Sequence, residues 1–185
     1  FDLVTSHVLP ALLRKMILGK YLHQNDFRTI RKDLEKKPIE GVNHKATKER
    51  IIELLNKYGV RKTADSVEVE IWGSGKPMRE FLYSEDMADA CVHIMERVDF
   101  KDTYDNSQKE VRNTHINIGT GEEVSIKELA KTIKDIVGFE GKLYFNSSKP
   151  DGTMRKLTDA EKLNNFNWTE KVQLVEGVTN LYKSS

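Results

Sequence analysis

Residues 69–91 constrain the fold more than any other stretch. They read as a short strand carrying Val69 and Ile71, a glycine turn (Trp72, Gly73, Ser74, Gly75), a basic hinge (Lys76, Pro77, Met78, Arg79), a second short strand over 80–83 and a helix opening at Ser84. Strand ends that deliver glycines, an indole and a guanidinium to one place are where α/β proteins build ligand clefts, so the binding site is expected here. Val67, Val69 and Ile71 alternate with Glu68 and Glu70, the period of a strand with one wet face. Downstream, Met87, Ala88, Cys91, Val92, Met95 and Val98 form a stripe expected to point inward, with Cys91 a buried small hydrophobe.

Charge and composition narrow the partners. Thirty Lys and Arg against 29 Asp and Glu give a net charge of +1, which argues against a nucleic-acid partner but leaves room for a small anion held by a few local cations. A single cysteine excludes an internal disulfide, and no histidine pairs with carboxylates at metal-ligand spacing, so no metal is expected. No apolar run approaches the roughly 18 residues of a membrane span, and residues 1–10 lack the pattern of a secretory signal, so the expected location is cytoplasmic. The opening has no methionine, and Asp2, Thr5 and Ser6 lead straight into an apolar helix, which reads as a fragment.

That first helix is expected over 7–21, with Ser6 as its cap and Leu9, Leu12, Leu13, Met16 and Ile17 as its stripe. His7 at its mouth is either a capping or surface histidine or a general acid or base, since imidazole titrates near neutrality. Arg14 and Lys15 offer positive charge further along. Residues 23–65 are more charged and are interrupted by Pro38 and Gly41; they read as a helical insertion with narrow apolar stripes laid over a surface, including a helix over 45–58 ended by Gly59. Trp72 is either core packing or a flat platform for a purine or sugar. Arg79 carries a fork of donors suited to phosphate. Asp86 and Asp89 are read as dipole-stabilising or surface charges.

Further on, 115–118 is expected as a short strand ending at Gly119, Thr120 and Gly121. Ser125 with Glu128 forms a capping box for a helix closed by Gly138. A strand over 143–145 leads to the turn Lys149, Pro150, Asp151, Gly152, where Asp151 can accept a sugar hydroxyl while Arg155 and Lys156 face phosphates. Thr158 or Asp159 caps a short helix, and Trp168 begins the last apolar face. Neither a three-glycine dinucleotide fingerprint nor a Ser, Tyr, Lys set at hydride-transfer spacing occurs. On residues alone the chain reads as the ligand-gripping half of something larger.

Four segments carry a resemblance: Ser6-His7-Val8-Leu9-Pro10-Ala11-Leu12; Trp72-Gly73-Ser74-Gly75 with Pro77-Met78-Arg79-Glu80-Phe81-Leu82; Asn117-Ile118-Gly119-Thr120-Gly121; and Lys149-Pro150-Asp151-Gly152-Thr153. Together they resemble the C-terminal half of the GDP-L-fucose synthase family, extended short-chain dehydrogenase/reductases that act as GDP-4-keto-6-deoxy-D-mannose 3,5-epimerase-4-reductases. The resemblance implies an α/β chain forming the substrate-binding portion of a Rossmann-like enzyme, with the N-terminal NADP-binding core absent. It implies that 80–98 and 115–121 pack on that missing half, with 23–65 as an insertion longer than the family's usual link. His7 then resembles the family's catalytic acid, and Lys15, Trp72, Arg79 and Asp151 its substrate-binding positions, Lys15 standing where the family often has arginine. The implied cofactor is NADPH, bound mainly by the missing domain, so cofactor-binding residues in this chain are unknown. The implied ligand is a GDP-sugar, the implied full-length assembly a homodimer, and the chain alone is expected to be inactive and weakly stable. A GDP-mannose dehydratase, another sugar-nucleotide epimerase or a non-catalytic nucleotide-sugar module are the alternatives.

Overall fold

The computed structural model describes residues 3, 6–105, 107 and 109–184; Asp2 and Thr5, read above as leading into the first helix, lie outside them. By its internal contacts the chain divides into two units, one formed by residues 1–77, 125–152 and 184–185 and the other by 78–124 and 153–183.

The first unit is built on a three-stranded sheet of order β1-β2-β5: β1 (Val60–Lys62), β2 (Val67–Trp72) and β5 (Lys142–Asn146). β1 runs antiparallel to β2, and β2 parallel to β5, with Val69 opposite Leu143 and Trp72 opposite Asn146. A parallel pair needs a crossover, and α5 (Ile126–Val137) supplies the helix that leads into β5. Helix α1 (Val8–His23) packs against α5 and β2. Gly19 is the point of closest approach: an added Cβ would stand 3.0 Å from the Val69 side chain and 3.2 Å from the Phe139 ring. Leu13, Met16, Val69, Leu129 and Ile133 are fully buried in this layer, each contributing on the order of 1.5–3 kcal/mol.

Residues 23–65 belong to this core rather than lying over it. Helices α2 (Phe27–Lys36) and α3 (Lys48–Lys57) bury Ile30, Leu34, Ile51 and Leu55 completely. Asp26 caps α2 through the Thr29 amide, and Thr47 caps α3 through that of Arg50. Arg14, itself buried, donates to the Asp33 carboxylate at 2.7 Å and to the Lys37 carbonyl at 2.6 Å, fastening α1 to α2. The narrow stripes suffice because each short helix packs on a neighbouring element, α2 on α1 and α3 on β1.

The second unit contains α4 (Ser84–Arg97), a 3-10 turn at Phe100–Thr103, the two-residue strands β3 (Met78–Arg79) and β6 (Arg155–Lys156), α6 (Glu161–Asn165) and α7 (Leu174–Lys183). β3 pairs in parallel with β6 and, on its other edge, with β4 (Val124–Ser125). The strand expected over 80–83 is therefore two residues long and earlier in the chain, and 115–118 is not a strand. Ala90, Leu163 and Trp168 form a small core with Leu82, Ile94, Ile116 and Ile118 against it. Asp86 is buried and accepts from the Lys171 and Val172 amides, while Asp89 accepts from the Trp168 indole at 2.9 Å and from Lys171. Asp86 is thus a strut of the core rather than a surface charge, while Asp89, its side chain 40% exposed, stays at the surface. The α4 stripe does not point inward: Met87, Cys91, Val92 and Met95 are exposed, because the side of α4 that packs is the one carrying Asp86 and Ala90.

Candidate functional site

In the first unit the expected residues fall at two places. Trp72 closes β2, and its indole is 64% exposed, which excludes core packing. The chain then turns through Gly73 and Gly75, both at positive φ (79° and 76°), where a side chain would be strained. The turn is anchored from behind by the start of α5, whose Ile126 and Lys127 amides donate to the carbonyls of Pro77 and Gly75. Asp151 closes it from the front, accepting the Ser74 amide at 2.8 Å on one oxygen and the Ser74 hydroxyl at 2.7 Å on the other. Lys149 places its ammonium 5.2 Å from the Trp72 ring centroid, within cation–π range. Trp72 and Asp151 are thus brought together with Lys149 and Ser74, which the sequence reading did not single out. Asp151 holds the turn, where a sugar hydroxyl acceptor was expected.

The base of the turn is fixed by a buried acid. Glu70, on the same strand face as Trp72, pairs with Arg61 and accepts from the Asn146 amide at 2.7 Å. Asn146 in turn accepts from the Ser148 amide and hydroxyl, tying the sheet to the turn that carries Lys149 and Asp151. Lys15 lies behind this network, its ammonium 3.4 Å from the Glu70 carbonyl. Burial pushes its pKa down; Glu70 opposes that and Arg61 adds to it. His7 is exposed and occupies the N-cap of α1 with an extended backbone (φ −64°, ψ 167°) and no side-chain cap bond. The cap expected from Ser6 is therefore one residue out.

Arg79 belongs to the second unit. Its guanidinium donates through Nη1 to the carbonyls of Met78 and Thr153, and it lines a small open cleft with Phe81, Thr120, Glu122, Glu123 and Glu170. Beside it Glu80 closes the second glycine turn. One carboxylate oxygen accepts the Thr120 amide at 2.6 Å and the Gly121 amide at 2.8 Å, and the other accepts the Thr158 amide at 3.0 Å. His115 lines a separate open cleft with Asn117, Asp159 and Lys162.

Each glycine turn is thus filled by a carboxylate of the chain itself, and neither presents the free amides at a helix start that hold a dinucleotide diphosphate. A feature that could have flagged Glu80 was visible, an acid directly after the arginine of the hinge, but its partners lie 40 and 78 residues away. Among the described residues no helix is long and apolar enough to cross a membrane, and no group of histidines, cysteines and carboxylates could hold a metal ion.

Residues 39–119 match the family model for the NAD dependent epimerase/dehydratase family. A GDP-L-fucose synthase of Arabidopsis thaliana is 44% identical over 129 residues, 70% of this chain and 36% of that protein. Among solved structures, a GDP-D-glycero-L-gluco-heptose synthase from Campylobacter jejuni in the presence of NADPH superposes with a TM-score of 0.80 at 41% identity, covering 98% of this chain and 47% of the other. A GDP-mannoheptose C4 reductase from Campylobacter jejuni with NADP bound gives 0.78 at 40% identity, covering 97% and 46%. The chain spans less than half the length of each.

These superpositions overturn two expectations. The expectation of a substrate-binding portion from which the NADP-binding core is absent does not hold, because nearly the whole chain superposes on chains solved with NADPH or NADP. Its parallel β2–β5 pair, with α1 and α5 packed together beside it, is Rossmann-like layering in its own right. The placement of NADPH mainly in a missing N-terminal domain falls with it, since the fold shared with those cofactor-bearing chains lies within these residues. Over most of its length the chain is therefore similar to GDP-L-fucose synthases and to other enzymes of GDP-sugars.

Proposed function

We propose that the protein carrying this chain is an NADP(H)-dependent epimerase-reductase acting on a GDP-sugar, converting GDP-4-keto-6-deoxy-D-mannose to GDP-L-fucose by 3,5-epimerisation and 4-keto reduction. The observation that carries the reading is the exposed indole of Trp72 with the Lys149 ammonium over its ring beside a carboxylate-locked turn. A flat π surface next to a cation suits a purine nucleotide, whose base can stack while a phosphate meets the charge. Lys15, Trp72, Arg79 and Asp151 are the proposed substrate-binding residues; the Lys15 ammonium faces the Glu70 carbonyl and the Arg79 guanidinium those of Met78 and Thr153. His7, exposed at the start of α1, is the proposed acid that returns a proton to carbon beside the keto group. The cofactor supplies the hydride when bound, and the chain's residues grip, orient and protonate. The remaining domain and assembly proposals are that 80–98 and 115–121 pack against the rest of the enzyme and that it is a homodimer.

The test is to supply the intact protein with GDP-4-keto-6-deoxy-D-mannose and NADPH in deuterated water, following label at C3 and C5 separately from NADPH oxidation. Label at both carbons, lost in His7→Asn, is the expected result. NADPH oxidation with no label at either carbon would remove the epimerase half of the proposal. A second reading, simple C4 reduction of a GDP-keto-heptose, is favoured by the solved structures of 40–41% identity, and turnover of that substrate without exchange would select it.

A further inference from the structure

The Glu80 carboxylate carries out no step in the chemistry above, yet it accepts from three backbone amides. β3 and β6 share only two rungs, Met78 with Arg155 and Arg79 with Lys156. Just past the last rung, Glu80 reaches across to the Thr158 amide, so its side chain continues the ladder where the backbone pairing stops. Before the first rung, Arg79 reaches back to the Thr153 carbonyl. β6 is therefore held at one end by Arg79 and at the other by Glu80, two consecutive residues of β3.

The second oxygen of Glu80 gathers the Thr120 and Gly121 amides. Arg79 and Thr120 both line the small open cleft, so the carboxylate between them fixes the spacing of two of its walls. The packing leaves little slack: a Cβ at Gly119 would stand 2.6 Å from the Glu80 carboxylate and 2.8 Å from the Thr158 side chain. Burial pushes the Glu80 pKa up, but the bonds from Thr158, Gly121 and Thr120 outweigh it and hold the group below its ordinary value, so it stays an anion, the form that accepts all of these donors.

We propose that Glu80 is a positioning residue that aims the Arg79 guanidinium into its cleft and thereby sets the affinity for the diphosphate of the GDP-sugar. This rests on the GDP-sugar reading above. Glu80 meets no ligand itself; it acts by fixing β6 and the 119–121 turn against Arg79. Two strands of two residues have too few backbone bonds to hold a long side chain's base rigid, and a carboxylate with three amide donors provides the missing restraint.

The test is a double-variant cycle on the intact protein, read by calorimetric titration with GDP. Arg79→Ala is expected to weaken binding about tenfold or more, the loss of one charge-assisted phosphate contact. Glu80→Gln, nearly the same shape but neutral, is expected to weaken it about tenfold when Arg79 is present and less than about twofold in the Arg79→Ala background, because its effect passes through the guanidinium. In turnover the same variant should raise KM more than it lowers kcat. Equal losses in both backgrounds, or no loss in either, would overturn the positioning role while leaving Arg79 as a ligand. An Arg79→Ala variant with unchanged GDP affinity would overturn the GDP reading at this residue first. Should Glu80→Gln fail to fold, Glu80→Asp, which keeps the charge one methylene short, enters the same cycle with the same expected dependence on Arg79.

Discussion

The glycine turns at 73–75 and 119–121 solve one problem in two ways. Each bunches backbone amides that would otherwise attract an anion, and each is filled by a carboxylate from far along the chain. Asp151 fills the first from an exposed loop, bonds Ser74 through its amide and hydroxyl and shares its surroundings with an exposed indole and a lysine. Glu80 fills the second from a half-buried position and bonds three amides belonging to two separate segments. The first arrangement can exchange its partners with a ligand or with water at little cost. The second cannot, and it belongs to the frame that holds Arg79.

The sharpest way to break this contrast is to remove the two charges in turn. Glu80→Gln is expected to destabilise the protein by about 1–2 kcal/mol, toward the low end for a bonded charge because the site is partly wet, seen as a lower Tm in thermal denaturation. Asp151→Asn should cost less than about 1 kcal/mol in the same melt. If Asp151→Asn proved the more damaging, the exposed turn would be the structural one. Trp72→Ala is expected to weaken GDP binding by about 1–2 kcal/mol, roughly tenfold, with no loss of stability, since its ring packs into no core. The pH dependence sharpens the same point. Glu80's pKa is depressed in the folded state, so its contribution to stability is present above its ordinary value of 4.5 and is lost as pH falls below that toward the folded value. Acid melts of the parent protein should show this loss, and Glu80→Gln should lack that part of it. The smallest effect belongs to Lys15→Met, which should change GDP affinity less than Arg79→Ala does, because its ammonium faces the Glu70 carbonyl and its desolvation already opposes the charge.

What the sequence made legible was local. The alternation of Val67, Val69 and Ile71 gave β2, the Ser125 and Glu128 capping box gave α5, and Gly138 ended it in the left-handed conformation. The glycine turn at 73–75 and its neighbours Trp72 and Asp151 were visible too, because turn chemistry is written in adjacent residues. Long-range partnerships were not. Nothing near Arg14 announces Asp33, nothing near Glu80 announces Thr158, and α4 shows why periodicity alone misleads. Its apolar residues lie at helical spacing, yet Met87, Cys91 and Met95 are exposed, because which face packs is decided by Asp86 and Asp89 reaching backbone and indole donors 79 to 86 residues away. The charged character of 23–65 hid its core role for the same reason: a few fully buried positions such as Ile30 and Leu55 are enough when several short helices share one interior.

The proposed role of the Trp72 indole, a platform for the guanine of a GDP-sugar, can be followed by tryptophan fluorescence. The chain has two tryptophans; Trp168 is buried at 3% exposure, whereas Trp72 is 64% exposed. Titrating GDP into the intact protein should quench the emission in a saturable way, and the quenching should vanish in Trp72→Phe while Trp168 still emits. Quenching of equal size in Trp72→Phe, or saturable GDP binding that leaves the parent emission untouched, would contradict it.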